Sequence, residues 1–356
     1  MSLLPEKGDS QASKQRLIFC AKQGLFKHAI SEQFGGNGDD FTDLVLAHEA
    51  IGKSSLDNGL ILSINAHLWG SIFPLIHYGT TEQQQFYLEK LISAEFIGGH
   101  AITEPQAGSD LNALEMTAEP TDQGFILNGH KRFITNTPIA DILIVYAKLN
   151  NKLSAFIVHT QDKGANFKQT PEVSACKTAT MGDVILENCL IPEHRQLGKT
   201  GAGSMMIQQA LELERAFIFA GICGAMDWQL KQTIQFSRQR RVNNSHLGKN
   251  QAISHRIAEM KVRLDTVKLW VNECASLKNN NKRITLASAQ TKLFAAEAFL
   301  QSSLDAVQIM GSQSLIKNNA IAECVNDALA SRLFSGSSEI QKNIIAALLG
   351  TGEGYK

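Results

Sequence analysis

The 356-residue chain carries no excess charge of either sign: lysine plus arginine number 34, and so do aspartate plus glutamate. With no net field to attract polyanions, a nucleic-acid or acidic-membrane binder starts without support. Paired cysteines are missing too. Cys20, Cys176, Cys189, Cys223, Cys274 and Cys324 are scattered, with no CxxC among them. That speaks against a zinc site or disulfide framework and for a reduced, cytoplasmic setting. No run reaches the roughly 20 uninterrupted apolar residues of a membrane span. The opening MSLLPEKGDSQA lacks the basic start and apolar run of a signal peptide. The expectation is a soluble intracellular protein with neither nucleic acid nor membrane as partner. No GxGxxG follows a strand-like run, which removes support for a Rossmann site, and there are no repeats. What is present is ordinary globular material, 44% hydrophobic and 19% charged, long enough for two or three packed units.

The texture of the chain changes twice. Residues 14–98 read as helical: DFTDLVLAHEAI (40–51) and TEQQQFYLEKL (81–91) space apolar residues at three and four. From 99 to about 199 come short β-prone runs, GFILNG, DILIVYAKL, KLSAFIVHT and DVILENCLI, separated by Gly, Pro, Asn and Asp turn chemistry. Helical spacing returns at 205–236, 252–277, 285–310 and 320–333. The order predicts an α+β chain of segregated layers: a helical domain (1–98), a β domain (99–200) and a C-terminal helical bundle (201–356).

At the first boundary stands AITEPQAGSD (101–110). Pro105, Gly108 and Asp110 make it a loop. It is an ordinary surface turn or a segment that offers the hydroxyls of Thr103 and Ser109, with backbone N–H groups near a small residue, to a polar ring edge or phosphate.

This string resembles the first signature of acyl-CoA dehydrogenases, and four further segments resemble that family in the right order. Phe133-Ile134-Thr135-Asn136 is similar to its Trp-Ile-Thr-Asn strand. Gln251-Ala252-Ile253-Ser254, with Ala258-Glu259-Met260, resembles a helix of its C-terminal domain. Gln308-Ile309-Met310-Gly311-Ser312 resembles its QxxGG turn, and Gly336-Ser337-Ser338-Glu339-Ile340-Gln341 its GTxEIQ segment.

The resemblance implies a helical N-terminal domain, a β-barrel-like middle domain, a C-terminal four-helix bundle, and FAD as cofactor. It places His100, Ile102, Thr103, Gly108 and Ser109 along the flavin, with Thr103 bonding the ring and Ser109 also near the thioester. Phe133, Ile134 and Thr135 would pack on and bond the isoalloxazine, Phe133 keeping an apolar face where the family has an indole N–H. Arg240, Gln251, Gln308, Gly311 and Ser312 would hold the adenosine diphosphate part across a subunit interface, a guanidinium fork being suited to pyrophosphate. Ser337 and Glu339 belong to the same implied cofactor set. Asn243 and Asn244 stand where the family has Phe-Gly, and Ser312 and Ser314 replace glycines of the turn.

The reaction implied is removal of a hydrogen pair from the α and β carbons of an acyl thioester. It needs a carboxylate, and the family's usual position is Ser335, a residue that is no base without an activator. Leu211-Glu212-Leu213-Glu214-Arg215 resembles the LDLER segment of isovaleryl-CoA dehydrogenases, whose base lies on this helix. Helical spacing puts Leu211, Glu214, Arg215 and Ile218 on one face, leading into the apolar AFIFA. Glu214 is the expected base. Its bland alternative is a solvated or salt-bridged glutamate, and Arg215 is a ligand contact or a partner for nearby glutamates. Glu212, Ser335 and Gly336 complete the implied substrate set, the Ser335 N–H polarising the thioester carbonyl.

Asp57-Asn58-Gly59-Leu60 and Ala66-His67-Leu68 resemble members from polyketide and peptide-antibiotic pathways, some acting on acyl groups tethered to carrier proteins. The acyl carrier, CoA or an acyl/peptidyl carrier protein, stays open. So does the acceptor, an electron-transfer flavoprotein or oxygen, and the assembly, homodimer or homotetramer. A flavin oxidase or monooxygenase on the same fold, and an inactive scaffold, are the competing readings.

Overall fold

The computed structural model describes residues 4–170, 172–316 and 319–352. The chain divides into two compact units, residues 1–40, 62–173 and 177–214 in the first, and 41–61, 174–176 and 215–356 in the second.

In the first unit, helix Ser10–Lys22 starts where the Asp9 carboxylate accepts the Ala12 N–H at 3.0 Å. Thr81–Ile92 starts on a capping box between Thr80 and Gln83, two orphan amides satisfied reciprocally. The β runs become one eight-stranded sheet: β1 His100–Ala101, β2 Thr117–Thr121, β3 Gly124–Ile134, β4 Ile142–Leu149, β5 Lys152–His159, β6 Ala165–Gln169, β7 Gly182–Pro192 and β8 Gln196–Leu197. Its order is β6-β7-β3-β2-β4-β5-β8, with β1 added parallel to β4. The β4–β5 hairpin turns on Asn150 and Asn151, both left-handed (φ 51° and 60°), the conformation a two-residue turn of this hand demands and asparagine tolerates. β4 is apolar but for the partly exposed Lys148, because it is buried on nearly every residue, and Leu127, Val145, Phe156, Val184 and Ile191 share its core.

Helix Asn58–Tyr78 is long and apolar enough to cross a membrane, but 94% of its most apolar stretch is buried within the protein. Its apolarity belongs to the core.

The second unit is helical: Phe41–Ser55, the later part of the 37-residue helix Gly203–Gln239, Gln251–Asn279, Thr285–Met310, Ala320–Ser331 and Ser338–Leu348. Thr285–Met310 lies at its centre, burying Ala289, Ala295, Ala296, Phe299 and Ala306. Helices Phe41–Ser55 and Gly203–Gln239 touch backbone to backbone. A Cβ on Gly52 would lie 1.9 Å from the Gly221 carbonyl oxygen, and one on Gly224 would lie 2.4 Å from the Glu49 carbonyl oxygen. Any side chain at this crossing must push the helices apart.

Strands β1, β2, β6 and β8, a two-stranded ribbon of Arg241–Val242 with Ser245–His246, and the short helix Ser338–Leu348 after the four expected in the C-terminal block go beyond the sequence expectation. All six cysteines are buried and unbridged.

Candidate active site

The long helix carries Glu214 in the first unit, 4% exposed. Its Oε2 lies 3.5 Å from Nε2 of His100, which the two-residue strand β1 holds beside it. Burial lowers the His100 pKa and the Glu214 charge pulls the other way, the first effect prevailing. The ring is therefore neutral near pH 7.

Just past His100 the chain enters the 102–109 loop. Ile102 is buried, Thr103 half-buried, and Gly108 and Ser109 exposed. The loop is tied to β3, where Arg132 donates its N–H to the Thr103 carbonyl at 2.8 Å. β3 then departs from regular pairing between Lys131 and Ile134. In that irregularity Phe133 takes a left-handed backbone (φ 56°) with its ring 53% exposed. A bulky residue there is strained and needs its surroundings to hold it. Ile134 is buried and Thr135 half-buried. Asn136, also left-handed (φ 68°) and buried, donates from Nδ2 to the carbonyls of Ser63 and Gly98, each at 3.1 Å.

Beneath these two segments lies a buried ion pair that motif reading missed. Lys131 donates to Glu104 Oε1 at 2.7 Å and to the Ile102 carbonyl at 2.9 Å. Glu104 also accepts the N–H groups of Glu115 and Met116 at 2.6 and 3.0 Å. Burial alone would raise the Glu104 pKa. Lys131 and the two amides outweigh it and hold the carboxyl below its ordinary value.

In the second unit a loop is gripped through its carbonyls. Arg215, 8% exposed, donates from Nε to the Ser335 carbonyl at 2.9 Å. Lys292 donates to the Arg332 carbonyl at 3.0 Å, and Gln341 to the Gly336 carbonyl at 2.8 Å. Ser335 is left-handed (φ 54°), and so is Gly336 (φ 89°). Ser337 caps helix Ser338–Leu348 by accepting the Ile340 N–H. The exposed Glu339 carboxyl is held below its usual value by its own N–H and the Ser337 hydroxyl. Arg240, Gln251, Gln308, Gly311 and Ser312 are exposed on the chain. Glu212, in the first unit, is half-buried.

Lys292 and Gln341 were not visible as site residues. The signal was available for Lys292: within TKLFAAEAFL it shares a helical face with Ala289, Ala295, Ala296 and Phe299, all buried, where a lysine has no ordinary place. Burial first, and then the Arg215 charge, push its ammonium down to about 7. The unfolded chain keeps lysine protonated to about 10.4. Between those values the unfolded state binds more protons, so stability rises with pH. Lys292→Met is expected to flatten that rise by up to about 2–3 kcal/mol between about pH 7 and 9, read as thermal midpoints of both proteins across the range. Parallel pH curves would exclude this source.

FAD can be tested against these residues directly. An exposed aromatic ring is held by a strained bulge, and Gly108, where a Cβ would meet nothing within 4 Å, leaves its loop open. The residues fit a flat ring lying along the two segments. A helix–sheet–helix chain with this platform and a buried carboxylate on the long helix has the makings of a flavin-dependent oxidoreductase.

The comparisons with known proteins agree along nearly the whole chain. Residues 7–95, 99–189 and 201–350 match the N-terminal, middle and C-terminal domains of acyl-CoA dehydrogenase. The chain belongs to the acyl-CoA dehydrogenase family. An L-prolyl-[peptidyl-carrier protein] dehydrogenase of Pseudomonas fluorescens is 36% identical over 333 residues, 92% of this chain and 88% of that protein. The crystal structure of the prolyl acyl carrier protein oxidase AnaB matches with a TM-score of 0.92 at 33% identity, over 95% of this chain and 90% of its own. PigA with FAD and proline matches with a TM-score of 0.91 at 32% identity, over 98% and 90%. The chain is thus an FAD-dependent oxidoreductase of CH–CH bonds in acyl thioesters.

Proposed function

We propose that this chain oxidises an aminoacyl thioester, L-prolyl first among candidates, carried on a peptidyl carrier protein. What carries the reading is the near full-length match to a prolyl carrier-protein dehydrogenase, joined to a buried glutamate on the long helix. Glu214 takes the α-proton. FAD, when bound, supplies the two-electron acceptor for the β-hydrogen and its electron pair, so that two C–H bonds break and one C=C bond forms. Buried at 4% exposure, the carboxylate meets its proton in a site where charge is costly and water scarce.

In this reading His100, Ile102, Thr103, Gly108, Ser109, Phe133, Ile134 and Thr135 receive the flavin ring. Arg240, Gln251, Gln308, Gly311, Ser312, Ser337 and Glu339 serve the adenosine diphosphate part in a homodimer or homotetramer. Ser109, Glu212, Arg215, Ser335 and Gly336 serve the thioester. The division at 1–98, 99–200 and 201–356 and a cytoplasmic setting go with it.

Anaerobic titration with L-prolyl carrier protein and with isovaleryl-CoA tests the substrate. The carrier-bound prolyl group is expected to bleach the flavin faster. Faster bleaching by the CoA ester would move the substrate class back to free acyl-CoA. Air admitted afterwards separates oxygen from an electron-transfer flavoprotein as acceptor, a choice raised by the likeness to an oxidase.

A further inference from the structure

Helix Asn58–Tyr78 does not run evenly. Over Leu68–Ile72 it winds as a π-turn, which inserts a residue and widens the helix, a feature frequent at functional sites. Gly70 lies in this turn. A Cβ on it would come within 2.9 Å of the His100 backbone nitrogen and 3.0 Å of the His100 ring Cγ. The widened turn and its glycine together make the room that His100 occupies. β1 fixes the histidine backbone, His100 pairing with Ile144 of β4.

The ring is directed at the base. Nε2 stands 3.5 Å from Glu214 Oε2, with side chains 12% and 5% exposed, and Oε2 is sealed from solvent. The π-turn, Leu-Trp-Gly-Ser-Ile, brings no titratable group, and neither does Ile144. Glu214 is the charge that acts on the ring. A neutral imidazole has one N–H. Facing a carboxylate, that proton belongs on Nε2, which leaves Nδ1, buried without a hydrogen-bond partner, as the bare nitrogen.

We propose that His100 is the positioning residue of the base: its Nε2–H orients the Glu214 carboxylate through Oε2. The proposal rests on Glu214 as base. A donor aimed at the carboxylate favours its ionised form and fixes the direction of the accepting lone pair. The 3.5 Å gap is longer than a formed hydrogen bond, as catalytic contacts without substrate often are.

Two variants and one spectroscopic reading test this. His100→Gln keeps an N–H donor near Oε2, and His100→Ala removes it. With whichever thioester bleaches the wild type, His100→Ala is expected to bleach about 10- to 100-fold more slowly, the range for a misplaced catalytic group. Its acid limb, read on the FAD-loaded protein, should move to higher pH, while thioester affinity holds. His100→Gln should recover most of the rate. In parallel, ¹⁵N-histidine NMR should show His100 as the Nε2–H tautomer in the wild type and a changed signal in Glu214→Gln. An unmoved acid limb in His100→Ala overturns the proposal. So does equal loss in both variants, which makes the ring a space-filling wedge, and so does an Nδ1–H tautomer. A wild type that no thioester bleaches overturns the reading of Glu214 itself, and an NMR contact that persists there tells the two failures apart.

Discussion

Glu214→Gln is expected to hold FAD and bind acyl thioester while bleaching its flavin about 10²- to 10⁴-fold more slowly. That is roughly 3–5 kcal/mol of barrier. The substitution keeps the size and polarity of a side chain 4% exposed, so packing on the long helix is preserved. What it removes is the proton acceptor, and Ser335, where the resemblance implies the usual base, has no carboxylate to take over. Stopped-flow absorbance under anaerobic conditions measures the rate, and binding titrations show whether the thioester still docks. A variant bleaching at the wild-type rate would falsify the assignment, and Glu212, two residues earlier, would be tested next.

The second large effect is structural. Lys131→Met leaves Glu104 buried without its cation, and breaking one side of such a pair costs about 3–5 kcal/mol. Lys131 also holds the Ile102 carbonyl, one residue before Thr103, so FAD retention should fall along with stability. The double variant Lys131→Met/Glu104→Gln should recover part of the loss, since no buried charge is then left alone. Because Glu104 is held below its ordinary pKa, its contribution is present above the usual carboxyl range and lost as pH falls through the depressed value. Urea midpoints and bound flavin per chain report both effects. A Lys131→Met protein as stable as the wild type would show that the pair contributes nothing net.

Elements with strong periodicity were legible. The run 285–310 is the helix Thr285–Met310, and DILIVYAKL is β4 with one residue trimmed. β2 and β6 were not, for a physical reason: β6 is an edge strand and β2 shows one buried residue of five, so neither alternates apolar with polar. Helix Ser338–Leu348 shows in the sequence as a motif, because its first residues resemble a family segment.

At the site, single residues on short motifs stood out. The polar contacts that hold those motifs did not. Lys131 and Glu104 are 27 residues apart, and Lys292 and Arg332 are 40 apart. A lysine on an apolar helical face, as Lys292 is, shows in the pattern, but sequence spacing says nothing about the partner that a sheet or a helix bundle brings to a buried charge. The π-turn at Leu68–Ile72 was equally hidden, since one extra residue in a helix barely alters its apolar pattern.

The buried thiols turn the protein into a recorder of its own opening. Burial pushes Cys20 up to about 12 and Cys189 to about 11, and raises Cys176 and Cys223 as well. Only the thiolate attacks an alkylating reagent, so the closed protein hides these sulfurs twice, from access and from ionisation. Each becomes reactive when its own segment separates from its neighbours. Cys20 reports on the first helix, Cys189 on β7, Cys223 on the glycine crossing of two helices, and Cys176 on the short segment that joins the second unit. The order in which they are labelled is the order in which the structure comes apart.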